Sequence, residues 1–407
     1  MRRPRAVLAG IALTAAAVGA FVTRPYARGL TFIVRAADMH GVIRRFADAD
    51  TRAVIERRLE ITSPTPGRLA PLPARLYRPT TRPRRVVLLA SGLHPAGIDE
   101  PRFVGLAHQL AASGLAVVTP DIPELSRYEI TTAITDEIER AGLWGSRLSE
   151  SEGATAADGR IGLMGISVSG GLSVVAAGRP SLRDRVAYVL SFGGHDDLPR
   201  VLRYLCTGSE PLPGQFGQGP STASPDAVRT FIRRPHDYGV AVILLAIVDR
   251  VVPEPQVDRL REAVRRFLAA STLDRVDRAQ SQADFAELRA LAPTLPEPSS
   301  TLLRYLNDRD VIHLGHALLP YIGEYGNAAS LSPSRSAKPS APVFLLHGTD
   351  DNVVPTIESE YMAEHLRGHA PVRFLLSDLI SHAEVDRQPR AGDVMRLAGF
   401  WGDLLAR

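Results

Sequence analysis

The segment from Ile161 to Gly171, IGLMGISVSGG, ends a short apolar run in small residues that bracket a serine. Gly165 and Ser169 lie two positions before and after Ser167. A strand that turns directly into a helix needs small residues at these two positions, and the turn projects the central hydroxyl above the sheet. The pattern predicts that Ser167 is a nucleophile in a strained backbone conformation. A second register, with Ser169 as the nucleophile between Ser167 and Gly171, is also open.

A serine hydroxyl is a weak nucleophile and needs a histidine base that a carboxylate orients. The segment PVFLLHGTDDNVVP, residues 342–355, combines a buried strand, a turn and the acids Asp350 and Asp351. His382, in SHAEVD, follows the last predicted strand. Serine, acid and histidine thus occur in this order along the chain, each at the carboxyl end of a predicted strand.

Strand-like and helical segments alternate from Val86 onward. The predicted strands are 86–90, 116–119, 161–166, 186–192, 343–346 and 372–376, and the predicted helices are 103–113, 130–148, 172–177, 357–366 and 394–405. Continuous apolar strands separated by helices indicate an α/β fold whose parallel sheet is covered on both faces. Two earlier segments, 58–62 and 74–77, predict an antiparallel hairpin at the sheet edge. Ligands of such sheets bind at the carboxyl ends of the strands, where Ser167 is expected.

The alternation lapses between residues 197 and 340 into helical segments punctuated by prolines, which predicts a large helical cap insertion. The chain is therefore divided into an N-terminal membrane or signal segment (1–28), an amphipathic linker helix (29–57), the first part of the core (58–196), the cap (197–340) and the second part of the core (341–407). His195, Asp196 and Asp197 follow a predicted strand and are expected to line the cleft.

These motifs together resemble the serine hydrolases of the α/β-hydrolase superfamily, over the chain from Glu60 to the C-terminus without most of the cap. Gly348, Asp351, Val354 and Pro355 match the G-x-x-D-x-x-V-P pattern of that superfamily. The resemblance makes Asp351 the orienting acid, with Asp350 one position away as the alternative, and His382 the base. It also implies an oxyanion hole built from the backbone N–H groups of Val168 and, in LLASGLHPAG, of Leu93.

The resemblance implies hydrolysis through an acyl-enzyme without a cofactor or metal, most simply of a small carboxylic ester or other acyl substrate. A peptidase or thioesterase would use the same residues. A non-catalytic, membrane-tethered module is the alternative from another class. Epoxide hydrolysis and dehalogenation require an aspartate at position 167, so the serine disfavours both.

Composition narrows the possible partners. The 407 residues are 45% hydrophobic and 23% charged, which is typical of a globular protein. The net charge is +4, and the basic residues are scattered without an aromatic-rich motif, so nucleic acid is not an expected partner. A single cysteine, Cys206, excludes an intrachain disulfide and is expected to be a core or cap residue.

The N-terminus predicts attachment to a membrane. Arg2, Arg3 and Arg5 precede an uncharged run from Ala6 to Val22, which is at the lower limit of length for a membrane-spanning helix. An uncleaved anchor with an extracytoplasmic catalytic domain is the expectation, and a cleaved signal followed by secretion or a buried helix are the alternatives. After this run, residues 30–46 predict one amphipathic helix, with Ile33, Val34, Ile43 and Phe46 on one side. Nothing in the sequence indicates an oligomeric state.

Overall fold

A parallel sheet dominates the computed structural model, which describes residues 24–49, 51–62, 70–151, 156, 158–212, 230–274, 276–380 and 390–407. Its strands are β1 (Val54–Ile61), β2 (Leu72–Pro79), β3 (Val86–Ala90), β4 (Ala116–Pro120), β5 (Ile161–Ile166), β6 (Val186–Phe192), β9 (Val343–Gly348) and β10 (Val372–Ser377). A separate pair comprises β7 (Ser209–Pro211) and β8 (Thr230–Ile232).

The large sheet has the order β1-β2-β4-β3-β5-β6-β9-β10. The pairs β1–β2 and β2–β4 are antiparallel, and the other neighbours are parallel. This is the α/β-hydrolase fold, so the predicted fold class is confirmed. The predicted antiparallel hairpin is present as β1 and β2, with β1 at the edge.

The helices before β6 are α1 (24–36), α2 (Val42–Asp48), α3 (Pro101–Ala112), α4 (Pro123–Ser126), α5 (Thr132–Ser151) and α6 (Val168–Gly178). After β9 come α13 (Ile357–Leu366) and α14 (Ala391–Ala406). The side chains of α3 and α14 pack on one face of the sheet, and those of α5 and α6 pack on the other. Alternate residues of the strands enter the two cores, which is why strands such as VVLLA are apolar throughout.

The chain between β6 and β9 is mainly helical. It contains α7 (Leu198–Thr207), α8 (Asp237–Val251), α9 (Glu254–Leu273), α10 (Arg278–Leu291), α11 (Ser299–Asn307) and α12 (Val311–Leu318), together with β7 and β8. Cys206 is buried in α7, in agreement with its expected place in a core or cap. We refer to residues 197–340 as the insertion.

The prediction of a single helix over residues 30–46 is wrong. The helix that includes Leu30 ends at residue 36, and α2 begins at Val42. Asp38 and Gly41 between them have φ angles of 47° and 84°, which no right-handed helix accommodates. The apolar residues expected on one helix face are divided as a result, because Val34 is buried in the body while Phe46 is exposed.

The helix α1 is held against the C-terminal helix. The Phe32 and Trp401 rings lie 4.5 Å apart between centroids. A Cβ atom on Gly29 would overlap the backbone of Ala398, so the two helices approach each other closely. The apolar run of residues 6–22 lies outside the described residues. Among the helices that are described, none has the length and apolar character needed to cross a membrane.

Candidate active site

Ser167 occupies the turn between β5 and α6. Its φ and ψ angles are 56° and −129°. Its N–H donates to the Phe192 carbonyl at 2.8 Å, and its carbonyl accepts from the Gly170 N–H at 2.8 Å. A Cβ atom on Gly165 would overlap the carbonyl of Ser169, so the sharp turn excludes any larger residue there. Hydrogen bonds and packing thus hold Ser167 in a conformation that non-glycine residues rarely adopt.

Ser169, the nucleophile of the alternative register, lies in the first turn of α6 and has no exposed surface. Its hydroxyl has no hydrogen-bond partner in the described part of the chain. Ser167, in contrast, is partly exposed. The geometry therefore favours Ser167 over Ser169 as the residue that a substrate can reach.

Asp351 follows β9 and is 1% exposed. Its Oδ1 accepts hydrogen bonds from the N–H groups of Val353 at 2.9 Å and Val354 at 3.1 Å. The side chain of Asp350 is 57% exposed and lies 3.5 Å from the guanidinium of Arg233 in the insertion. The two acids thus have different environments, because Asp351 is buried and accepts backbone hydrogen bonds while Asp350 is exposed beside Arg233.

His347 is the immediate neighbour of Asp351 in space. It lies within β9 and is fully buried. Its Nε2 is 3.2 Å from Asp351 Oδ2 and 3.0 Å from the Val354 carbonyl, and its Nδ1 is 2.7 Å from Ser359 Oγ in α13. Because a carbonyl only accepts, Nε2 carries the hydrogen and Ser359 donates to Nδ1. The contact between His347 and Asp351 was not predicted, although their spacing of four residues across the end of a strand could have indicated it.

His382, the predicted base, lies outside the described residues. The chain leading to it is described as far as Ile380. A Cβ atom on Gly348 would overlap the Ile380 carbonyl, so the residue two positions before His382 touches the end of β9. The side chain of His382 itself has no described position.

The two residues proposed as oxyanion donors, Val168 and Leu93, belong to segments next to Ser167. Val168 begins α6, where the first N–H groups of a helix have no partner within the helix. The Leu93 N–H makes no hydrogen bond to the described residues, whereas the His94 N–H donates to the Leu125 carbonyl at 3.2 Å. A Cβ atom on Gly92 would lie 3.4 Å from Ser167 Cβ, so the loop that carries Leu93 runs beside the serine.

Tyr238, in the first turn of α8, connects the insertion to this loop. Its hydroxyl donates to the Leu93 carbonyl at 2.6 Å. Burial, and next the neighbouring Tyr128, raise the pKa of Tyr238 well above 10, so the hydroxyl keeps its proton. The His236 N–H just before α8 donates to the Asn352 carbonyl at 2.9 Å, beside Asp351. One short segment of the insertion therefore contacts both loops of the candidate site, and no local sequence pattern indicated this.

The expectation that His195, Asp196 and Asp197 line the cleft is wrong for His195 and Asp196, which are buried. Asp197 makes contacts within the fold. His195 is buried, and its Nε2 lies 2.8 Å from the Leu331 carbonyl. The N–H groups of Asp196 and Asp197 donate to the buried Glu358 carboxylate at 2.7 Å and 2.9 Å. Asp197 also caps α7 through its side chain.

A buried charge cluster explains why these acids face inward. Arg200 of α7 lies between three carboxylates, at 3.2 Å from Asp196, 2.8 Å from Glu210 and 2.5 Å from Glu358. Burial, and next the adjacent Glu358, raise the pKa of Glu210 to about 10, so it is protonated at neutral pH. These groups join the insertion to the body and leave no free carboxylate of this set for a substrate.

No group of three or more His, Cys, Asp or Glu side chains suited to a metal ion occurs within the ranges that the structure describes. The loop that carries Leu93 and the first turn of α6 lie beside Ser167, and the buried Asp351 follows β9, two strands away from β5 in the sheet. Such an arrangement suits acyl transfer, in which negative charge develops on an oxygen beside the nucleophile.

Comparison of the sequence with models of protein families and with curated proteins finds no match. Solved structures similar to the chain include an acylaminoacyl peptidase of Pyrococcus horikoshii, at 14% identity and a TM-score of 0.44 over 88% of this chain and 42% of that one. A puromycin-hydrolyzing peptidase of Mycobacterium tuberculosis matches at 16% identity and 0.42, over 86% and 39%. An esterase variant matches at 13% identity and 0.44, over 90% and 86%. The chain thus spans about two fifths of the length of the two peptidases.

Proposed function

We propose that this protein is a serine hydrolase that cleaves carboxylic esters through an acyl-enzyme, with Ser167 as nucleophile, His382 as base and Asp351 as orienting acid. The observation that carries the proposal is the backbone of Ser167, at φ 56° and ψ −129° between β5 and α6. A fold holds a non-glycine residue in such a conformation only where surrounding structure imposes it, and such sites are often functional. Here the consequence is a hydroxyl presented at the carboxyl end of the sheet.

In the proposed reaction, Ser167 Oγ attacks the acyl carbon while His382 removes its proton. The carbonyl oxygen becomes an oxyanion, which the N–H groups of Val168 and Leu93 stabilise, by roughly 3 to 4 kcal/mol per good donor. His382 then protonates the leaving alkoxide, and the acyl group remains on Ser167. Water, deprotonated by His382, attacks the acyl-enzyme and releases the acid and the free serine.

The dimensions of the sheet support this assignment. β5 and β9 are separated by β6, so their ends lie roughly 10 Å apart at two strand spacings. An imidazole with a hydrogen bond at each nitrogen spans about 8 Å between its two partners. A histidine that follows Ile380, which touches the end of β9, has the reach to bridge Asp351 and Ser167.

An ester is preferred to a peptide with a free amino terminus because such a peptide needs an unpaired acid in the cleft. Asp196 and Asp197, the acids nearest to the end of β6, are engaged by Arg200, His365, Ser334 and Arg335. The chemistry requires no cofactor. Thioesters and blocked peptides would use the same residues, and comparison of matched ester, thioester and amide substrates separates them.

We also propose that residues 6–22 attach the protein to a membrane, with the catalytic body on the extracytoplasmic side. The support is the uncharged run itself, flanked by Arg2, Arg3 and Arg5 before it and Arg24 after it. Cleavage after Ala20 followed by secretion is the alternative. Mass spectrometry of the mature N-terminus in the membrane and soluble fractions decides between them.

Labelling with a fluorophosphonate probe tests the catalytic proposal. We expect the wild type and Ser169→Ala to be labelled, and Ser167→Ala to be unlabelled. Asp351→Asn should lower the labelling rate by orders of magnitude, while Asp350→Asn, the matched control one residue away, should leave it nearly unchanged. Labelling that persists in Ser167→Ala and disappears in Ser169→Ala would refute the assignment of the nucleophile. No labelling of a folded wild type would favour a binding module.

A further inference from the structure

The short helix α2 presents apolar side chains to solvent on a single face. Met39, Val42, Ile43 and Phe46 are 43%, 69%, 42% and 73% exposed. The three-residue and four-residue spacings align Val42, Ile43 and Phe46 along one side of α2, and Met39 lies in the loop before the helix. We call these four residues the α2 face. Scattered exposed apolar residues are ordinary, but four within eight positions, three of them on one side of α2, mark an interaction surface.

The α2 face is fixed firmly to the body of the protein. Ala47, which follows Phe46 in α2, is buried. Its carbonyl accepts a hydrogen bond at 2.6 Å from Arg35 of α1. The same guanidinium donates to Gln109 at 3.2 Å and to Ser113 at 2.9 Å, at the end of α3. Because Arg35 joins three elements, the apolar side chains are held outward by the fold and cannot turn inward without breaking these bonds.

Charge and chain position indicate what covers the α2 face. Residues 24–49 contain five arginines and two aspartates, and Arg45, within α2, is exposed. The uncharged run of residues 6–22 ends two positions before the first residue of α1. Apolar side chains beside arginines are the pattern by which a surface helix enters the interface of an anionic bilayer.

We propose that the α2 face inserts into the headgroup region of an anionic lipid bilayer and so sets the orientation of the catalytic body relative to the membrane. This proposal rests on the membrane attachment by residues 6–22 proposed above. One attachment through a single chain leaves the body free to rotate, whereas a second contact through α2 fixes which side of the sheet faces the lipid. A bilayer would hold both the α2 face and the apolar run of residues 6–22, whereas a second copy of this chain or a soluble partner on the α2 face would not explain that run.

A fluorescent reporter at position 46 tests the proposal on the full-length chain. The thiol of Cys206 is buried, and burial raises its pKa to about 12, so it does not compete for an alkylating dye. Phe46→Cys is labelled with the environment-sensitive dye NBD and incorporated into vesicles of phosphatidylethanolamine and phosphatidylglycerol. The matched control is Val276→Cys, an exposed apolar position in the insertion that is 82% exposed.

We expect the dye at position 46 to shift its emission to shorter wavelength in vesicles and to be quenched by nitroxide-labelled lipid, while the dye at position 276 does neither. Raised salt should weaken the shift, because screening reduces the attraction of the arginines to anionic lipid. A dye at position 46 that stays in water while the chain floats with vesicles refutes docking through α2 and leaves the attachment proposal intact.

Two further outcomes also overturn the proposal. If the chain does not float with vesicles and the dye at position 46 shows no shift, both the attachment and the docking are wrong. If the dye at position 46 shifts without lipid, in proportion to protein concentration, a second copy covers the α2 face. Activity toward a soluble ester is measured on both labelled proteins and should equal that of the wild type.

Discussion

Replacing Ser167 by glycine should make the protein more stable than replacing it by alanine. Both changes remove the hydroxyl, so the difference between them reports the backbone alone. At φ 56° and ψ −129° a Cβ atom is strained, and glycine relieves this strain. At an ordinary helical position the order is reversed, because glycine gains more conformational entropy in the unfolded chain.

The expected difference follows from two opposing terms. A residue held in a sparsely populated region of φ and ψ costs about 1 to 3 kcal/mol. Glycine lowers the free energy of the unfolded state by about 0.4 to 1 kcal/mol relative to alanine. The free energy of unfolding of Ser167→Gly should therefore exceed that of Ser167→Ala by about 1 kcal/mol. Neither variant should retain hydrolytic activity.

Urea unfolding followed by tryptophan fluorescence measures this difference, with the same pair of substitutions at Ser173 as the control. Ser173 lies in the interior of α6, is fully buried and has a hydroxyl without a partner in the described part of the chain. Alanine should be more stable than glycine there by about 1 kcal/mol. The sign of the difference should thus reverse between two serines of one motif. Alanine being the more stable residue at both positions would refute the strain at Ser167.

Three further predictions concern the residues that surround the site. Tyr238→Phe should lower kcat about fivefold with little change in KM, because one hydrogen bond of about 1 kcal/mol to the Leu93 carbonyl holds the loop of the proposed oxyanion donor; an unchanged kcat in steady-state assays would contradict this. His347→Phe should lower kcat about tenfold through Asp351, and His347→Gln, which keeps a donor, should recover part of the loss; equal kcat for the two variants would argue against positioning. Burial lowers the pKa of His195, so below about pH 6.5 the unfolded chain binds one proton more than the folded chain. The free energy of unfolding should therefore decrease as the pH is lowered, by up to about 1.4 kcal/mol per pH unit. Urea midpoints at pH 7.5 and 5.5 should differ less in His195→Gln, and an unchanged difference would exclude this histidine.

Much of the fold was predictable because local patterns are tied to local geometry. The bounds of β3, β5, β6 and α13 agree with the sequence prediction, since buried strands and amphipathic helices each have a distinct apolar period. The helix predicted over residues 30–46 failed for a different reason. On one continuous helix Ile43 and Phe46 would lie on the side opposite to Ile33 and Val34, and the positive φ angles of Asp38 and Gly41 separate α1 from α2.

The candidate site was predictable only in part. The strand-turn-helix at Ser167 follows from the sizes of its neighbours, which are local facts. The environments of Asp350 and Asp351 differ because Arg233 of the insertion lies beside the first, while His347 and the backbone of Val353 and Val354 enclose the second. The match to the G-x-x-D-x-x-V-P pattern favoured Asp351 over Asp350, but the contacts that make their environments different come from tertiary structure.

The sequence by itself determined the α/β architecture and a sharp turn within GISVSGG, because both depend on residues close together in sequence, and the structure decided that the turn is at Ser167 and not at Ser169. Only the tertiary structure decided which side chains support the site. Tyr238 and Leu93 are 145 positions apart, yet they share a hydrogen bond. Such contacts depend on how the insertion packs on the sheet, and packing is set by the shape of the whole fold and not by any local pattern.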